Sequence, residues 1–262
     1  MTAPRPADLR PSVTYGDGSG EAAREKLLRM ERSGGRETAA SPEKGSLRER
    51  ALGEAASTLA FQQGLAWRYA KLMDACGKRE HIFDRVFNFG PLLMDGRVLP
   101  PVIRWAGRGV SLGGNGEARS VEASYRIVRP AAIVTRAPTW RDYLMTGVPE
   151  TENRPAILPA TQAEKKAWKR GVTEGWAAGA AAADELFSVN MNRLVADYRG
   201  ILRFRMLARR GMVSLPVLAE GRLAVRVEKR TLDVGETTFR ISVPAEFRDM
   251  ENWSAGTDGR EE

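Results

Sequence analysis

The stretch from Thr161 to Arg210 constrains this chain most. Trp168, Val172, Trp176, Ala183, Phe187, Met191, Leu194, Tyr198 and Leu202 fall at the spacings that gather side chains along one face of an α-helix. Thr161 with Glu164 three positions on is a helix start, since hydroxyl and carboxylate can each satisfy a backbone N–H that the first turn leaves open. Gly171, Gly175 and Gly179 recur every four residues beside Trp168 and Trp176. In an exposed helix each glycine costs about 1 kcal/mol relative to alanine. The stripe therefore predicts close packing of another backbone, from the same domain or from a partner chain. After Asp197 the helix ends in Arg199, Arg203, Arg205, Arg209 and Arg210. Placement against the helix dipole explains part of this basic end, and Arg203, Arg209 and Arg210 are candidates for an anion or partner contact.

A second long helix is expected from Ser46 to about Ala75, opened by Ser46 with Glu49 and stopped by Gly77. His81 to Phe87 continues as a short helix, broken by Asn88-Phe89-Gly90-Pro91. Between Leu92 and Val134 short apolar runs alternate with glycine and proline, the texture of strands, and Gly113 to Gly116 reads as a hairpin tip. A short helix follows from Thr139, and strands return at Leu223 to Val227 and Thr237 to Val243, with Asp233 to Glu236 as a turn. The order predicts an α+β fold: one main domain at 46–248, with two long helices packed on a small mixed or antiparallel sheet. Residues 1–45 are expected to be a disordered arm with some helical character over Glu21 to Arg32, and 249–262 a flexible tail.

The side chains that carry chemistry are sparse. Cys76 is the only cysteine and His81 the only histidine, which removes a disulfide framework, a multi-histidine metal site and most Ser-His or Cys-His schemes. The glycines between Gly107 and Gly116 lack a following Gly-Lys-Ser/Thr and lead into a strand, so no helix N-terminus would face a phosphate. No catalytic residue, cofactor or metal is expected, and the chain reads as a docking protein rather than an enzyme. A net charge of +8 and a pI near 9.9 keep a nucleic-acid-binding accessory role as the alternative, although the positive charge is spread along the chain. Trp105 and Trp140, with Arg141, are the aromatic and basic candidates for an interface, and the two tryptophans fit a core equally well. No run of apolar residues is long enough to span a bilayer.

Several short motifs, in order, resemble one family. They are Gly64-Leu65-Ala66-Trp67-Arg68, Phe83-Asp84-Arg85-Val86-Phe87-Asn88-Phe89, Val98-Leu99-Pro100-Pro101-Val102 and Tyr125-Arg126-Ile127-Val128. Ala137 to Leu144, Leu158-Pro159, Trp168, Gly175-Trp176, Gly179, Asn190, Asn192-Arg193-Leu194, Asp197-Tyr198, Gly200 and Met212-Val213-Ser214 continue the series. Together, over about 47 to 218, they resemble the DotC family of type IVB secretion and IncI-type conjugation systems. The resemblance implies a structural subunit of the outer-membrane core complex, at the periplasmic face of the outer membrane. It would help a DotD-like subunit place a DotH-like one, with further copies of itself in a ring. It implies no small-molecule substrate and makes nucleic acid an unexpected partner. The family's lipobox cysteine has no counterpart here, because Cys76 lies in or at the end of a predicted helix. Either the start differs, or protein contacts alone hold this member in place.

Overall fold

The computed structural model describes residues 19–31, 42–112, 118–145, 157–228 and 231–253. Most of the expected arm, the Gly113 to Gly116 tip and residues beyond 253 lie outside them. The elements are α1 (Ser19–Leu28), α2 (Pro42–Gly77), α3 (Glu80–Val86), β1 (Val98–Leu99), β2 (Val102–Leu112), β3 (Ala118–Arg129) and β4 (Ala132–Ile133). They continue with α4 (Trp140–Leu144), α5 (Gln162–Arg209), β5 (Val217–Glu228) and β6 (Thr231–Val243). The α+β expectation holds. The chain forms two compact units, each from separate stretches: one from the chain up to Phe83 with Arg141–Met191, the other from Asp84–Trp140 with Asn192 onward.

The first unit is helical. Leu52, Ala56, Leu59 and Ala60 of α2 face Trp168, Val172 and Trp176 of α5, repeats of three and four on both sides of one seam. The glycine stripe sets how close the helices come. A Cβ built on Gly171 would lie 2.3 Å from the Gly53 carbonyl oxygen, one on Gly175 2.2 Å from that of Ser57, and one on Gly179 2.1 Å from that of Phe61. Both helices advance by the same four-residue step in the same direction, so α2 and α5 run parallel here. Gly64 repeats the device from the other side, its Cβ position 2.7 Å from the Trp176 carbonyl oxygen. Weak Cα–H···O contacts at such an approach, with apolar burial beside them, offset the helix propensity that glycine gives up.

Polar pins fix the register. Thr161 Oγ1 accepts from the Glu164 N–H at 3.2 Å, while Glu164 Oε2 accepts from the backbone of Ala160 at 2.8 Å and Thr161 at 3.3 Å, a complete capping box. Arg48 of α2 donates to the other oxygen of Glu164 at 2.7 Å. Burial pushes the Glu164 carboxyl up, but these donors outweigh it and hold its pKa below the ordinary glutamate range. Farther along, the Tyr69 hydroxyl donates to the Leu144 carbonyl at 2.6 Å and accepts from Asn190 at 3.2 Å, which ties α4 to the helix pair.

In the expected arm the structure differs from the sequence reading. Leu27 of α1 is buried in the α2–α5 core, and the Trp168 indole N–H donates to its carbonyl at 2.8 Å. The apolar residues of α1 are few, but they find a groove already lined by tryptophan.

The second unit holds the strands, and they make three separate antiparallel pairs, β1–β4, β2–β3 and β5–β6, rather than one small sheet. The two long helices pack on each other in the first unit, and it is the end of α5 that meets strands here. Gly200 is the contact point: a Cβ there would lie 2.4 Å from Val102 Cγ1. Ile103, Phe204, Leu207, Val213 and Ala245 form the core, flanked by Tyr125 and Ile127. Phe87 and Phe89 meet Tyr198 edge-on, with centroids 5.6 and 5.1 Å away. Asp197, nearly buried, pairs with Arg129 at 2.9 Å.

Helix α5 stops where expected. Gly211 takes a φ of +69°, the Met212 N–H bonds the Leu207 carbonyl and the Gly211 N–H that of Ala208, a Schellman ending. Strand β6 begins earlier in the chain than expected, at Thr231 rather than Thr237. Asp233 to Glu236 lies within β6 paired to β5, with Gly235 at a φ of +75° inside the strand, because glycine adopts that conformation without the strain a side chain would impose.

Candidate functional site

Of the aromatic candidates, Trp140 belongs to the interior: it is 1% exposed, and its indole N–H donates to Asp84 Oδ1 at 2.7 Å. Trp105 is 54% exposed on β2, opposite Tyr125 of β3. Arg141 bonds Glu80 at 2.7 Å within the helical unit. The basic end of α5 is partly engaged at home. Arg203 donates to the Ile103 carbonyl and Arg205 to that of Pro91, each at 2.9 Å, so both tie the helix to neighbouring backbone. Arg209 and Arg210 stay exposed at the helix end. Gly171, Gly175 and Gly179 are close-packing positions, and the approaching backbone is α2 of the same chain.

The reactive side chains are apart in character. Cys76 is buried in α2, where burial pushes its thiol pKa up and Arg79 opposes only part of that, so little thiolate is present near neutrality. His81 is exposed on α3. Among the described residues no three His, Cys, Asp or Glu side chains gather as metal ligands, and no helix is long and apolar enough to cross a membrane.

What the sequence reading missed is an exposed apolar strip at the base of β5–β6. Leu215, Val217, Val243 and Phe247 are all exposed, and chain pairing brings them together: Val217 lies opposite Val243, and Val213 bridges Phe247. Ser214 fastens the same place, bonding the backbone of Glu246 in both directions. The strip continues into 249–253, which the sequence assigned to a flexible tail. There the Arg248 N–H bonds the Met212 carbonyl, and the Trp253 indole N–H bonds the Arg248 carbonyl at 2.9 Å. Met250 stands 75% exposed. The available signal was Phe247, Met250 and Trp253 within seven residues, since large apolar side chains gathered into one patch, unlike one standing alone, mark a surface that a partner can cover.

The two hairpins project a similar message. Each is a two-stranded pair of eleven to thirteen residues per strand, with a second edge on every strand that no described strand occupies. Two-stranded pairs are marginal alone in water, and free edges are where another strand can add.

The sequence model of one family, described as type IV secretory system, conjugal DNA-protein transfer, matches residues 46–255. The search of curated proteins returned no match.

Proposed function

Because the chain belongs to the type IV secretory system family of conjugal DNA-protein transfer, we propose that it is a non-catalytic, DotC-like structural subunit of the outer-membrane core complex. In this reading it works at the periplasmic face of the outer membrane and docks DotD-like and DotH-like subunits, helping to position the latter. The observation that carries the reading is the exposed strip of Leu215, Val217, Val243 and Phe247 beside the open edges of β5 and β6. An apolar centre with backbone hydrogen-bonding edges around it is what a protein partner can cover and a small solute cannot. The order of the DotC-type motifs supports the finer identity, since they span both units.

The test is co-purification of the full chain with DotD-like and DotH-like subunits. Capture is expected, and Val243→Asp with Phe247→Asp should weaken it about tenfold or more, since a charge at the centre of an apolar contact cannot be hydrated once covered. A wild-type chain that captures neither subunit sinks the proposal.

A further inference from the structure

Helix α1 fills a groove on a helix pair that holds together without it. The register of α2 against α5 is set by Gly53, Ser57 and Phe61 meeting Gly171, Gly175 and Gly179, contacts between the two long helices alone. Ala23, Arg24, Leu27 and Leu28 fall at steps of three and four, so they share one face of α1. Leu27 is 1% exposed in one core with Leu52, Ala56, Trp168 and Val172, and Ala23 and Leu28 pack partly buried against it.

The fit is imperfect at one position. The Arg24 Nε is buried, and among the described residues no acceptor meets it; a buried donor left unmet opposes docking. The rest of the site answers to any helix that ends there. A helix leaves its last carbonyls without intrahelical donors, and the Trp168 indole N–H reaches that of Leu27, in the final turn of α1. Lys165 pairs with Glu31 just past the helix end. Its hydrogen bond and then its charge lower the Glu31 pKa, and the charge of Lys169 adds to this. Ammonium groups placed here also complement the negative pole of a helix dipole.

We propose that the groove lined by Leu52, Ala56, Trp168 and Val172 is a docking site for the C-terminal turns of an amphipathic helix from another subunit, with α1 as its displaceable occupant. The favoured helix carries leucine at the Leu27 position, an apolar residue where α1 has Arg24, and an acid just past its end to meet Lys165 and Lys169. It would displace α1 because it makes the same contacts without burying an unmet donor. Since α1 precedes α2 in the chain, its departure breaks neither long helix. The inference rests on the docking role proposed above and adds a second surface, in the helical unit, together with the kind of element that surface receives.

The experiment compares the full wild-type chain with two variants altered in α1 only, so the groove itself stays intact. Leu27→Asp should release α1, and Arg24→Leu should hold it more firmly; hydrogen exchange within 19–31 should rise in the first and fall in the second. The probe is a fluorescein-labelled peptide of residues 19–31 carrying Arg24→Leu, followed by anisotropy. It is expected to bind the Leu27→Asp chain at least about tenfold more tightly than wild type, because a groove filled by its own chain binds in proportion to the fraction that stands open. The Arg24→Leu chain should bind it more weakly than wild type. Capture of a DotD-like or DotH-like subunit should shift in the same order across the three chains. Equal peptide binding by all three, or none by the Leu27→Asp chain with its circular dichroism unchanged, overturns the inference. Subunit capture that is equal in all three also overturns it and leaves the docking role standing. If no chain captures either subunit, the docking role falls, and peptide exchange in the expected order still establishes α1 as a displaceable occupant.

Discussion

At Gly175 two preferences oppose each other. Helix propensity favours alanine by about 1 kcal/mol, yet a Cβ there would lie 2.2 Å from the Ser57 carbonyl oxygen, closer than atoms can pack. The steric term wins because the obstacle is backbone. Gly175→Ala is expected to lower stability by about 1–3 kcal/mol in urea unfolding. Gly77→Ala, at a position with nothing within 4 Å, should be neutral or slightly stabilising. Equal effects at the two sites would refute the close-packing account. Glu164 supplies a pH-dependent counterpart. Its folded pKa is lowered, so its contribution is fully present above the ordinary glutamate value and is lost as pH falls through the depressed one. Glu164→Gln should therefore flatten the acid limb of the stability profile, and an unchanged slope would show that the cap is not coupled to folding. The Thr161–Glu164 cap was legible because its partners are three residues apart. Arg48, which completes it, was not, because nothing local links positions so distant in the chain.

Elements differed in how far local pattern decided them. The stop of α5 at Gly211 and the break before β1 follow from glycine and proline, which act within a few residues. Helix α1 and the turn between β5 and β6 did not follow. The composition around Asp233 to Glu236 is that of a turn, but pairing with β5 over the whole of β6 stabilises an extended backbone that Gly235 can follow. For α1, local composition promises only a weak helix, and the docking of Leu27 under Trp168 supplies the rest. Trp168→Phe keeps most of the ring but removes the donor to the Leu27 carbonyl. It should cost about 1 kcal/mol and speed limited proteolysis within 19–31 at unchanged cleavage elsewhere. Cleavage that stays at the wild-type rate would show that the bond does not hold α1.

For the molecule as a whole, charge and placement point in different directions. A net +8 predicts attraction to polyanions, but Arg203 and Arg205 donate to carbonyls of the chain and Arg129 pairs with Asp197. Binding to a single-stranded oligonucleotide is accordingly expected to be weak, with a shallow dependence on salt in a fluorescence titration; a steep dependence would signal many phosphate contacts and favour the nucleic-acid role. The long helices, the Thr161–Glu164 cap, the stop of α5, the glycine stripe and the α+β class could be derived from the chain's own order of residues, because each depends on neighbours a few positions apart; the start of α2 could not, since that helix begins at Pro42 and runs through the Ser46–Glu49 box expected to open it. A place in conjugal type IV secretion was legible for a different reason: many weak motifs keep their order across most of the chain, and the family match covers 46–255. Tertiary structure alone decided that the stripe meets α2 in parallel, that the strands form three pairs, that Trp140 is interior, and that Phe247, Val243 and Asp249 to Trp253 face outward. Those outcomes depend on which distant segments pack together, and a sequence read along its length records spacing but not which surfaces the completed core leaves uncovered.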